Sequence, residues 1–120
     1  MAALPLVFSR RYQAAISARH RFPMGKYGAV HAVLSARPWF SEVEIHRAAP
    51  ATLDQAARAH DLNYVDRLVA GALSDREVRD IGLPQNASVV ARAFASAGGT
   101  LLACRLAKDA ATGLAASLAG

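Results

Sequence analysis

The residues of this 120-residue chain with the means to do chemistry are four histidines, one cysteine and a basic, aromatic stretch, Ala18-Arg19-His20-Arg21-Phe22-Pro23-Met24-Gly25-Lys26-Tyr27. Pro23 fixes its own φ and biases Phe22 toward extended geometry, and Gly25 permits a turn, so the stretch reads as a loop between a first strand and a first helix. Rigidly mounted loops are where binding groups concentrate. The alternative is a polar connector with one buried Phe or Met. His20, His31, His46 and His60 form no HxH, HExxH or comparable metal-ligand spacing, and no CxxC exists. Each histidine therefore reads as a solvated or hydrogen-bonded structural residue. Cys104 sits mid-helix between Ala103 and Arg105 with no base beside it, as a small core residue rather than a nucleophile. Ala97-Gly98-Gly99-Thr100 lies within a helix rather than opening one, so it is no phosphate cradle. Asp54, Asp61, Asp75 and Asp80 occupy capping or exposed positions. The chain carries no complete catalytic set.

The elements that would position these residues follow from periodicity and caps. Leu4 to Phe8 is a short apolar run expected as a strand buried on both faces. Tyr27, Val30, Val33 and Leu34 recur at helical spacing until Arg37-Pro38 ends the run, and Ser41 to His46 alternates as a half-buried strand does. Thr52 with Gln55 and Ser74 with Glu77 are capping boxes opening helices. Asp61 caps a helix striped by Leu62, Val65, Leu68 and Val69, ending near Gly71, and Gly82 and Pro84 stop the helix after Ser74. Asn86 caps the longest helix, to about Lys108. It is apolar or small on nearly every face, which predicts burial, and Gly98-Gly99 within it predicts close approach of a neighbouring backbone. Gly113 turns the chain into a last strand, Leu114 to Gly120.

Composition bounds the classes. The chain is 53% hydrophobic and 19% charged, which suits one globular domain over residues 1–120. Its formal charge is +5, and residues 1–41 hold Arg10, Arg11, Arg19, Arg21, Lys26 and Arg37 with no carboxylate. Such a field could attract anions. The absence of a nucleic-acid motif or interleaved stacking aromatics argues against nucleic acid as a partner. Leu6-Val7-Phe8 reads as a strand, against an organelle transit peptide, and no secretory signal or membrane-spanning run is recognised. No membrane partner is expected, and the lone Cys104 suits a reducing, cytoplasmic setting.

The order β-loop-α-β-ααα-α-β implies parallel strands crossed by helices, the α/β class, with a ligand site beyond the carboxyl ends of the strands. Ser96-Ala97-Gly98-Gly99-Thr100-Leu101 followed by Leu114-Ala115-Ala116-Ser117-Leu118-Ala119-Gly120 resembles the histone deacetylase family of the arginase/deacetylase superfamily, in which a helix with an S-A-G-G stretch feeds a strand ending in A-G-G. His20 to Tyr27 is similar to the family's H-P-M loop, most closely in class IV and bacterial members. Ala59-His60-Asp61 with Tyr64-Val65 matches its H-D-x-x-Y-V helix start. Together the matches run from Leu6 to Gly120.

The resemblance implies the N-terminal part of a parallel-sheet, three-layer arginase/deacetylase-like α/β fold. It also implies a zinc-dependent amidohydrolase that removes acetyl or other acyl groups from lysine- or polyamine-type amines. In that chemistry zinc acts as a Lewis acid and lowers the pKa of its bound water to around 7, while a His serves as general base. The family's His-His pair, zinc ligands and transition-state Tyr follow the A-G-G strand, so all would fall beyond Gly120. No catalytic or metal residue is then expected in this chain, and His20, Phe22, Pro23, Met24 and Lys26 would form the substrate rim. Two positions depart from the family: its strand Asn is here Ser117, and its rim carboxylate has no counterpart near Gly82-Leu83-Pro84. The expectations are therefore a truncated, inactive segment that needs its C-terminal remainder or, from another class, a natural short relative serving binding or self-association. A third is anion binding through residues 10–37.

Overall fold

A computed structural model describes residues 3–119. Gly120, placed by the sequence in the last strand, lies outside them. The chain forms strand β1 (Pro5–Val7), helix α1 (Lys26–Ser35), strand β2 (Glu44–His46), helices α2 (Leu53–Ala57), α3 (Leu62–Ala70), α4 (Asp75–Ile81) and α5 (Ala87–Asp109), and strand β3 (Ala116–Ser117). Single 3-10 turns cover Arg10–Tyr12 and Pro38–Glu42.

The helix starts follow from local chemistry. Thr52 Oγ1 accepts from the Gln55 amide at 3.1 Å while Gln55 Oε1 accepts from the Thr52 amide at 2.9 Å. Ser74 and Glu77 repeat that exchange at 3.2 and 2.8 Å, and Asp61 Oδ1 accepts from the Tyr64 amide at 3.1 Å. Each satisfies amide donors that a helix start leaves open. α3 and α4 end on Gly71 and Gly82 at φ 69° and 77°, left-handed conformations that cost a glycine little. The strand pattern from Ser41 is only partly realised. Pro38 stands in the first turn of a 3-10 segment, whose fixed φ it suits, and this carries the chain through Glu42 before β2 begins.

β1 is the central strand of a parallel sheet ordered β2-β1-β3. Leu6 is flanked by Ile45 and Ala116, and Val7 by His46 and Ser117. All three residues of β1 are buried, as a strand between two neighbours should be. α5 packs against β1, β3 and the 3-10 turn at Arg10–Tyr12.

The three-layer arginase/deacetylase-like expectation is overturned. Strands of three, three and two residues make one small parallel sheet, and residues 47–115 form helices and loops before the third strand arrives. The molecule measures 50 × 34 × 17 Å. Helices about 10 Å across on both faces of a sheet would need roughly 20 Å between their axes. Cover is confined to the middle of this small sheet: at the β2 edge Glu44 is exposed and Ile45 is 45% exposed.

Burial of α5 also differs from expectation. Only Val89, Ala95, Gly98 and Gly99 are buried, and Leu101 stands at the surface. At 23 residues it is long and apolar enough, by length and composition, to cross a membrane, contrary to the sequence reading that no such run exists. In this structure it lies on the sheet.

The α3–α4 pair has its own tie. Arg67 donates from Nη1 and Nη2 to the two Glu77 carboxylate oxygens at 2.6 and 2.8 Å. That fork, with the Ser74 amide, lowers the Glu77 pKa from 4.5 to about 2 and raises that of Arg67. A folded pKa below the unfolded one stabilises the protein above pH 4.5, and the stabilisation is lost as pH falls toward 2. Glu77→Gln should therefore show a flatter loss of thermal midpoint across that acid window than the wild type, followed by circular dichroism. Parallel acid slopes for the two proteins would contradict the assignment.

Candidate functional site

Past the carboxyl ends of β1 and β3, the chain gathers its aromatic and cationic side chains. Ser9 follows β1 and is buried; its Oγ accepts from the Arg11 amide at 3.2 Å and starts the 3-10 turn that delivers Tyr12. Tyr12 is fully buried, with its hydroxyl 3.3 Å from Ser117 Oγ at the end of β3. That ring has room only because residue 99 is glycine. A Cβ there would stand 1.8 Å from the Tyr12 oxygen. The adjacent Gly98 serves another contact, since its Cβ would lie 2.1 Å from the Ala49 carbonyl oxygen, and the Ala51 amide donates to Phe94 O at 2.9 Å. The expected close backbone approach is thus found at Gly98, whereas Gly99 admits a side chain.

Arg92 holds the next shell of groups. Its Nε donates to Tyr12 O at 2.8 Å and its Nη2 donates to the Tyr27 hydroxyl. The guanidinium carbon lies 4.8 Å from the centroid of Tyr27 and 5.5 Å from that of Phe22. Lys26 Nζ approaches the same rings at 5.2 and 4.9 Å, within cation–π range. Two cations thus share one aromatic pair. No carboxylate lies within ion-pairing distance of either among the described residues. Beside them, at the end of β1, a cavity of about 400 Å³ is lined by Phe8, Ser9, Arg10, Gln13, Tyr27 and Gly28, among others.

The rim residues named from the sequence fall in one loop next to this cluster. His20 Nδ1 accepts from the Phe22 amide at 3.0 Å, so one ring nitrogen is used to hold the turn. Phe22 packs at the edge of the core, and Pro23 is exposed, its carbonyl accepting from the Lys26 amide at 3.0 Å. Met24 points inward and is buried with Tyr12, Tyr27, Val89 and Ala119. Lys26 stands at the surface over the rings.

The other histidines are apart. His31 stacks on Phe8 with centroids 4.0 Å apart, and His60 lies near Tyr64. His46 Nε2 is 2.6 Å from Glu44 Oε1 yet out of line for a hydrogen bond, an ionic contact only when the ring is protonated. Cys104 is exposed, contrary to its reading as a core residue. No three His, Cys, Asp or Glu side chains come together to hold a metal among the described residues, so the groups present do not fit a zinc site. The cluster offers cationic and hydroxyl donors around an aromatic pair, a set suited to binding.

Sequence reasoning missed Tyr12, Arg92 and Ser117 as members of this cluster. One signal was present, since Arg92 is the lone charge in the first four turns of an otherwise apolar helix.

No protein-family model matches the chain. Over 118 residues it is 34% identical to an uncharacterized protein of Picosynechococcus sp. strain PCC 7002. That match takes in 97% of this chain and 38% of the relative, so the chain spans well under half the relative's length.

The Gly99–Tyr12 contact is directly testable. Gly99→Ala should lower stability by about 1–3 kcal/mol, the usual cost of overpacking, read as a lower urea midpoint. Adding Tyr12→Phe should recover part of that loss, because the oxygen is the atom met first. Strictly additive losses would show that the two residues do not compete for one space.

Proposed function

We propose that this chain is the opening portion of a zinc-dependent amidohydrolase of the histone deacetylase type, acting on acyl groups of lysine- or polyamine-type amines and not competent for hydrolysis alone. The observation that carries the reading is the folding of residues 20–27 as a hydrogen-bonded loop running into the first turn of α1, beside the carboxyl ends of parallel strands, where open α/β sheets bind ligands. The H-P-M-like loop, the S-A-G-G stretch and the H-D-x-x-Y-V-like helix start supply the family argument. The greater length of the cyanobacterial relative leaves room for the groups this chain lacks.

In this reading the chain contributes the frame and rim. Tyr12, fixed between Gly99 and Ser117, holds the first turn, while Arg92 ties that turn to the loop through Tyr27. Phe22 and Lys26 present an apolar face and a cation to an approaching acyl-amine substrate. No step through zinc is assigned to residues of this chain.

A chimera tests the proposal. Residues 1–119 would replace the matched portion of the cyanobacterial relative, and acetate release from an acetyl-lysine peptide and an acetylpolyamine would be measured. The expected result is release by the chimera that a chelator stops and added zinc restores, with none from the 120-residue chain. A folded chimera that hydrolyses neither substrate, or hydrolysis by the isolated chain above a zinc-only control, would overturn it.

The uncovered apolar surface favours a second reading, in which this chain associates with another copy of itself. Leu101 and Leu114 are exposed, and the outer edge of β3 pairs with no strand among the described residues. Light scattering that gives a concentration-dependent mass above 12.7 kDa would support it; a constant monomer mass would remove it.

A further inference from the structure

Away from the sheet edge, α5 and the arm formed by α2, α3 and α4 flank a second cavity, open to solvent on one side and of about 600 Å³. Ligand pockets typically measure roughly 300–1,000 Å³ and combine apolar walls with a few polar groups that fix orientation. The walls here are apolar, with Val65 and Leu68 on one side and Val89, Ala93, Ala97 and Leu101 on the other. No Asp or Glu lines the cavity. Arg92 is its one permanently charged lining residue.

Arg92 is shared between the two sites. Its Nε and Nη2 are committed to Tyr12 O and the Tyr27 hydroxyl, which hold the guanidinium in place, while Nη1 has no protein acceptor among the described residues. It is half-buried and faces no carboxylate. A cation withdrawn from water is costly unless paired, and a guanidinium pairs best with a planar oxyanion.

We propose that this cavity binds an amphiphilic carboxylate, with the carboxylate on the Arg92 guanidinium and an aliphatic tail along Val89, Ala93 and Ala97. A neutral apolar ligand would leave the guanidinium unpaired, and an amphiphilic cation would be repelled by it. The inference is independent of the deacetylase reading. It requires no hydrolysis and is measured on the 120-residue chain, so either can fail without the other.

The probes are dodecanoate, dodecanol and dodecyltrimethylammonium, the two ionic probes below their micelle concentrations and dodecanol below its solubility limit, each titrated into the chain with calorimetric detection. Dodecanoate should bind one to one and at least about tenfold tighter than dodecanol, with the ammonium probe weaker still. Ala93→Phe and Thr100→Phe, which fill the cavity from the α5 side, should each weaken dodecanoate at least about tenfold. Arg92→Gln should bring dodecanoate down to the affinity of dodecanol and leave dodecanol unchanged. If Arg92→Gln loses its helical circular dichroism, the comparison of the three probes and the two filling variants decide. Equal binding of the acid and the ammonium probe, no saturable binding of the acid, or filling variants that fold and bind as the wild type would each overturn the proposal.

Discussion

Everything in this structure depends on how closely α5 can approach the first strand and the turn that follows it. Two consecutive glycines set that distance. Gly98 brings the helix against the Ala49–Ala51 backbone, and Gly99 leaves the space that Tyr12 fills. Glycine within a helix costs about 1 kcal/mol relative to alanine. Here the cost is offset by contacts that no larger residue would allow. With the helix in place, Asn86 Nδ2 donates to Ala15 O and Ser88 Oγ accepts from the Ala15 amide, so its N-terminal end is also stitched to the first loop.

From that contact the functional geometry follows in order. Tyr12 reaches Ser117 across the sheet end, Arg92 grips the Tyr12 carbonyl, and the same guanidinium carries Tyr27 and Phe22. Loop 20–27 is thereby fixed by a cation from a helix more than sixty residues away, although its own sequence is rich in groups that prefer water. Arg92 separates a polar, cation-rich rim on one side from an apolar, helix-walled cavity on the other. A single side chain thus contributes its charge to both.

What could be read from the sequence was what neighbouring residues decide among themselves. The capping boxes at Thr52 and Ser74, the Asp61 and Asn86 caps and the glycine stops at Gly71 and Gly82 are exchanges within a few residues, and the structure has each of them. Gly98-Gly99 announced a close approach, though not that Tyr12 would be one of the partners. The number of layers was not legible, because it depends on which distant elements meet. The all-round apolarity of α5 predicted a burial that one small sheet cannot provide. The candidate site was half legible for the same reason: loop 20–27 stands out by composition, whereas Tyr12, Arg92 and Ser117 are ordinary residues until the fold joins them.

The register of the sheet also has a kinetic side. Its central strand is made first and one of its neighbours last, with Tyr12 and Ser117 separated by 105 positions. Contacts so far apart along the chain form slowly, because the entropy of closing the loop is lost before any contact compensates for it. During synthesis β1 can pair with β2 once residue 46 has emerged, but its other edge stays open until the end of α5 has been made. Between the emergence of β2 and that of β3 the nascent chain therefore carries a strand of apolar side chains with one backbone edge unpaired, the kind of edge that recruits chaperones or pairs with the wrong strand.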